Sequence, residues 1–63
     1  MKHKFIEVTE KDGSKILLNI FHIAWIEPNK EGTLIRFNID NYSFPKKVTE
    51  PYDQVKSLVR SDD

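Results

Sequence analysis

Apolar and polar residues alternate along much of the first 48 positions of the chain. A period of two places successive side chains on opposite faces of a β-strand. The pattern predicts strands between about residues 4 and 48. The clearest strand covers residues 33–39, where one face carries Thr33, Ile35, Phe37 and Ile39.

The strand predicted over residues 15–20 has an apolar residue on each face. Ile16, Leu18 and Ile20 share one face by the period of two, and Leu17 lies on the other. We therefore expect both faces of this strand to be at least partly covered.

Turn-forming residues separate the strands. Asp12-Gly13 lies between two apolar runs and predicts a hairpin, because glycine adopts positive φ without a steric penalty. Composition predicts a turn over residues 19–22, a loop over 28–32 and a turn at 40–41.

The last strand is expected to open at residues 42–44 and to run towards Val48. Pro45 has no backbone N–H, so it places this strand at a sheet edge or at a bulge.

A single helix is predicted over about residues 51–60, followed by a disordered tail at 61–63. Pro51 suits the first helical position, where a backbone N–H has no intrahelical partner. One apolar stripe then follows at three- and four-residue spacing, formed by Tyr52, Val55, Leu58 and Val59.

These elements predict one domain spanning residues 1–63, mainly β and of the α+β class. We expect a four- to five-stranded antiparallel meander, curled or barrel-like, with one C-terminal helix. A domain of 63 residues has a small core, and this chain has no cysteine for a disulfide. Self-association is the remaining source of added stability, so we expect a homo-oligomer.

Charge and hydropathy indicate a cytoplasmic protein without membrane contact. Ten basic and ten acidic residues cancel, whereas nucleic-acid binders usually carry a basic excess. The basic start of the chain is not followed by the apolar run of a signal peptide. The apolar-rich stretch over residues 16–26 is far shorter than the roughly 20 residues of a membrane span.

The sequence offers no recognisable catalytic group, so we expect no enzyme, no metal and no cofactor. His3 and His22 lack the spacing of a paired metal site, and no cysteine is present. The two glycines lie in predicted turns, so a phosphate-cradling loop is not expected.

Two sets of residues are candidates for contacts with other molecules. Trp25, Phe44 and Pro45 form a candidate protein interface, and Trp25 is expected to be exposed because Ala24 and Ile26 point the other way. Core packing is the simpler explanation of the aromatic residues. Candidate nucleic-acid contacts are Lys46, Lys47 and Arg36, for which protection of a strand edge is the simpler explanation.

Four segments of the chain carry short motifs. Residues 9–19 form a strand, an Asp-Gly turn and a strand ending in Leu-Asn, and residues 23–28 form an Ile-Glu segment. Residues 33–35 form a Thr-Leu-Ile strand, and residues 48–55 form an acidic helix start. In these segments the chain resembles the small FlbD family of flagellar-associated bacterial proteins. The resemblance implies a bacterial, cytoplasmic, non-enzymatic accessory protein and carries over no binding residue. A fainter resemblance to the strand pattern of LytTR-type DNA-binding domains implies an alternative role as a nucleic-acid-binding regulator.

From these observations we expect a small non-enzymatic accessory or interaction module. It would act through self-association or through a protein partner, and its specific role is not indicated by the sequence.

Overall fold

The computed structural model describes residues 4–41 and 44–60. In these residues the elements follow in the order β1 (Phe5–Thr9), β2 (Lys15–Asn19), a 3₁₀ turn (Ile20–His22), β3 (Ile23–Asn29), β4 (Gly32–Phe37), β5 (Lys46–Val48) and α1 (Tyr52–Arg60). β1 and β2 form one antiparallel sheet, and β3, β4 and β5 form a second. The predicted α+β class with one C-terminal helix is confirmed, and over the described residues the two sheets do not close into a barrel.

The hairpin between β1 and β2 is built by the predicted Asp-Gly turn. Gly13 has a φ of +95°, and its N–H donates to the carbonyl of Glu10 at 2.9 Å. The Asp12 carboxylate accepts the N–H of Ser14 at 2.9 Å. That backbone hydrogen bond from Ser14 holds the pKa of Asp12 below its usual value.

The turn predicted over residues 19–22 is confirmed as a single 3₁₀ turn. Asn19 caps it, because its side-chain oxygen accepts the N–H of Phe21 at 3.0 Å. Asparagine is common at such positions, because its short side chain can accept the backbone N–H of the residue two positions later.

The prediction of a loop over residues 28–32 is correct only for residues 30 and 31. β3 continues to Asn29 and β4 begins at Gly32, which leaves a turn of two residues, Lys30 and Glu31. β3 is an edge strand of its sheet. Pro28 can therefore turn its nitrogen to the open side, where no ladder hydrogen bond is needed.

The strands on either side of the turn at Asp40-Asn41 are shorter than predicted. β4 ends at Phe37, so Ile39 lies outside it and is exposed. β5 begins at Lys46, since Pro45 lacks the N–H that a longer strand would use. Tyr42 and Ser43, where the last strand was expected to open, lie outside the described residues. Asn41 confirms the turn, with a φ of +65°.

The core lies between the two sheets and the helix. Its buried apolar side chains come from β1, β4, β5 and α1: Ile6, Val8, Ile35, Val48 and Val55. The helix stripe is as predicted, with Val55 buried and Tyr52, Leu58 and Val59 half-buried. Both faces of β2 were expected to be at least partly covered, but the face that carries Leu17 is mostly open, since Leu17 is 66% exposed. The hairpin has only one face against the rest of the protein.

Candidate interaction surface

One face of the three-stranded sheet points away from the core. Directly paired residues of antiparallel strands lie on the same face. The register pairs Trp25 with Arg36, Glu27 with Leu34, and Leu34 with Lys47. We call these five side chains the Trp25 face. Thr33 and Ile35 alternate with them and are buried on the opposite face.

Trp25 lies at the edge of this face and is 55% exposed, as predicted. A register shift between Ile23 and Trp25 bends β3 at this point. The indole Nε1 donates to Oε2 of Glu27 at 2.6 Å, which satisfies the one polar atom of the ring. The ring is thereby held along the strand while much of its apolar surface meets solvent.

Arg36 is half-buried directly across from Trp25. Within the described residues its Nε atom is buried and has no hydrogen-bond partner. A buried N–H without an acceptor costs about 1–3 kcal/mol. An acceptor brought by another molecule would recover part of that energy.

The structure separates the two adjacent lysines that were predicted to act together. Lys47 is exposed on the Trp25 face, opposite Leu34. Lys46 lies opposite Ile35 on the other face, and its Nζ pairs with the carboxylate of Glu10. The candidate nucleic-acid set is therefore divided, because neighbouring residues of a strand point to opposite faces.

Phe44 and Pro45 lie before β5, outside the paired strands. Phe44 is 73% exposed and Pro45 is half-buried. Pro45 borders a shallow depression of about 380 Å³, together with Lys47, Glu10, Lys11 and Asp12. The sheet register does not join Phe44 or Pro45 to Trp25, so the predicted interface set is brought together only in part.

A polar cluster around Glu50 ties the hairpin to the three-stranded sheet, and the sequence did not indicate it. The carboxylate of Glu50 accepts both the N–H and the hydroxyl of Thr9, each at 2.8 Å. Lys15 donates to the same hydroxyl at 3.0 Å. The buried hydroxyl of Thr33 donates to the backbone carbonyl of Glu50 at 2.7 Å. Both carboxylate oxygens are occupied within the chain, so we assign this cluster a structural role.

The Glu50 cluster makes the stability of the protein depend on pH. Burial raises the pKa of Glu50, but the hydrogen bonds from Thr9 outweigh it and the net pKa is below the usual value. A carboxylate with a lowered folded-state pKa stabilises the fold above its unfolded-state pKa, and this contribution is lost as the pH falls through the folded-state pKa.

We expect Glu50→Gln to lower the free energy of unfolding by about 1–2 kcal/mol at neutral pH, because hydrogen bonds to the charged oxygens are weakened. The difference from wild type should stay constant above about pH 5 and narrow below about pH 4. Urea titrations across this range measure it. Glu7→Gln, on the exposed side of β1, is the control. Equal pH profiles for the two variants would contradict the assignment.

Residues 4–41 and 44–60 contain no cluster of three or more side chains suited to hold a metal ion. His22 is exposed in the 3₁₀ turn, and His3 lies outside the described residues. In the same residues no helix is both long enough and apolar enough to span a membrane.

Comparisons of the chain with protein-family models, with curated proteins and with solved structures find no match. The resemblance to the FlbD family stays a prediction from short motifs.

Proposed function

We propose that this protein is a non-enzymatic interaction module that binds another protein through the Trp25 face. The observation that carries the proposal is the exposed indole of Trp25 next to the half-buried guanidinium of Arg36. Tryptophan and arginine are the residues most enriched among the energetic centres of protein interfaces.

The charges of this face select an acidic partner. Arg36 and Lys47 contribute positive charge, and the carboxylate of Glu27 is engaged by the indole N–H. The chain as a whole has no net charge, so the positive character is local. A fitting partner segment places an aliphatic or aromatic side chain against Trp25 and a carboxylate on Arg36.

The sequence supports a cytoplasmic location for this function. The FlbD-like segments imply a bacterial accessory protein of the cytoplasm, and a chain without cysteine suits a reducing compartment. The action that we propose is non-enzymatic, because it uses the residues of the Trp25 face to bind a partner and assigns no reaction to them.

A nucleic-acid-binding role is the second candidate. It is favoured by one observation, which is that Trp25, Arg36 and Lys47 share a face. Aromatic rings flanked by cations bind single-stranded nucleic acid by stacking. The ion pair of Lys46 with Glu10 weakens this candidate, because it neutralises one of the predicted contacts.

Peptides that bind this face can be selected from a random library displayed on phage, with the protein immobilised. Enriched peptides are synthesised and titrated into the protein while Trp25 fluorescence is recorded. Trp25 is the one tryptophan of the chain, so this fluorescence reports directly on the Trp25 face. We expect the enriched peptides to combine Asp or Glu with a large apolar residue and to shift the Trp25 emission. Arg36→Gln should weaken binding about tenfold or more, because it removes a central charged contact.

The matched control is Lys56→Gln, which removes a cation from the exposed side of the helix and should leave binding unchanged. Absence of enriched peptides, or equal binding by the Arg36 and Lys56 variants, would contradict the proposal. Mixed single-stranded DNA is titrated in parallel. Quenching of Trp25 that decreases with salt would instead support the second candidate.

A further inference from the structure

The hairpin leaves β2 as an open edge. Over the described residues, β2 pairs only with β1. The hydrogen bond from Glu10 N–H to Ser14 carbonyl and that from Ile20 N–H to Lys4 carbonyl bracket the ladder. Hydrogen-bonded and non-hydrogen-bonded residue pairs alternate along antiparallel strands. Every second residue of β2 therefore directs its backbone N–H and C=O away from β1. The outward residues are Lys15, Leu17 and Asn19.

The edge strands β2 and β3 differ in their protection against pairing with further strands. β3 carries Pro28, an irregular register and the charged Glu27, which are features that block edge pairing. β2 pairs with β1 in an unbroken register and has no proline or charge at its centre. Leu17 occupies that centre and is 66% exposed.

We propose that β2 pairs antiparallel with β2 of a second copy of this chain, around a twofold axis through Leu17. The result is a four-stranded sheet, β1–β2–β2–β1, that continues across the dimer. This contact is separate from the Trp25 face, so neither proposal depends on the other.

The sequence of β2 is complementary to itself in this register. Leu17 lies opposite Leu17 of the second copy, and Ile16 lies opposite Leu18. Lys15 lies opposite Asn19, so no like charges meet across the axis. The outward groups of Lys15 and Leu17 and the outward N–H of Asn19 can form about four backbone hydrogen bonds between the two copies, because the Asn19 carbonyl accepts the first bond of the 3₁₀ turn.

The outer face of the hairpin strengthens the choice of a second copy. Phe5 is 54% exposed, and the register places it diagonally next to Leu17 on the same face. Strand pairing around Leu17 brings the Phe5 and Leu17 side chains of both copies into one apolar cluster. Such a cluster adds burial to a protein whose own core is small.

Light scattering behind size exclusion tests the dimer over a range of concentrations. The mass of the wild type should rise from 7.4 kDa towards twice that value as concentration increases. Leu17→Pro should stay monomeric, because it removes the outward N–H, and proline is tolerated on an edge strand. Leu17→Lys keeps every backbone group, adds repulsion at the axis and should also stay monomeric. Circular dichroism confirms that each variant is folded.

Disulfide cross-linking of single-cysteine variants tests the dimer independently, since the chain has no cysteine of its own. Leu17→Cys should form a disulfide-linked dimer on mild oxidation, because Cα atoms of a bonded antiparallel pair are about 5.5 Å apart. Ser57→Cys, on the exposed side of α1, is the matched control and should cross-link far less. A wild-type monomer at all concentrations would overturn the proposal. So would a dimer that persists in both Leu17→Pro and Leu17→Lys.

Discussion

Replacement of Ile35 by alanine is expected to remove most of the net stability of the protein at room temperature. Ile35 is fully buried in β4, the central strand of its sheet, and belongs to the core between β1, β5 and α1. An Ile→Ala change at such a site costs about 2–5 kcal/mol, because it removes buried methyl groups and leaves a cavity. A core of this size supplies roughly 3–5 kcal/mol of net stability.

Circular dichroism during thermal and urea unfolding measures this loss. Ile39→Ala is a control of identical chemistry, since Ile39 lies beyond the end of β4 and is 42% exposed. Its effect should remain within about 0.5 kcal/mol. Similar losses for the two variants would mean that the core is not centred on Ile35.

Gly32→Ala is expected to destabilise the protein about as strongly as a core deletion. Gly32 has a φ of +149°, which residues with a Cβ rarely adopt. A Cβ built there would overlap the backbone carbonyl oxygen of Val48 and lie 2.9 Å from Cα of Thr49. Both obstacles are backbone atoms of the segment that leads from β5 to the helix. We expect a cost of about 2–5 kcal/mol from backbone strain and overpacking together.

Gly13→Ala separates these two causes. Gly13 also has a positive φ, of +95°, but a Cβ there would have no atom within 4 Å. Its substitution should cost only about 1–2 kcal/mol, the strain alone. Urea unfolding of both variants gives the comparison. Equal costs would show that the close approach of β5 to Gly32 does not limit the residue at this position.

The parts of the fold that were predicted correctly are those that a few neighbouring residues determine. Gly13 and Asn19 build their turns from backbone and side-chain groups within four residues. The stripe of α1 follows from its own periodicity. Pro28 shows the limit of this reasoning. The composition of residues 28–32 indicates a loop, whereas Pro28 lies in β3. A strand can hold proline there because β3 is at the edge of its sheet, and that position is set by the tertiary structure.

The candidate site was predictable only in part for the same reason. Alternation alone indicates that Lys46 and Lys47 point in opposite directions, but only the packing decides which of them faces outward. The exposure of Trp25 was predicted from alternation with Ala24 and Ile26, although Ala24, at the register shift, is itself exposed. The place of Trp25 opposite Arg36 required the register of β3 and β4. Glu50 could not be predicted to bind Thr9, because 41 positions separate them.

The bond between Thr9 and Glu50 also gives one backbone amide an unusual source of protection from solvent hydrogen exchange. The hairpin ladder does not hold the Thr9 N–H, which donates instead to a carboxylate that follows β5. Thr49 donates its own N–H to the carbonyl of Thr9 at 2.9 Å, across the same junction. Exchange at these two amides therefore measures how often the hairpin separates from the larger sheet while each sheet remains intact.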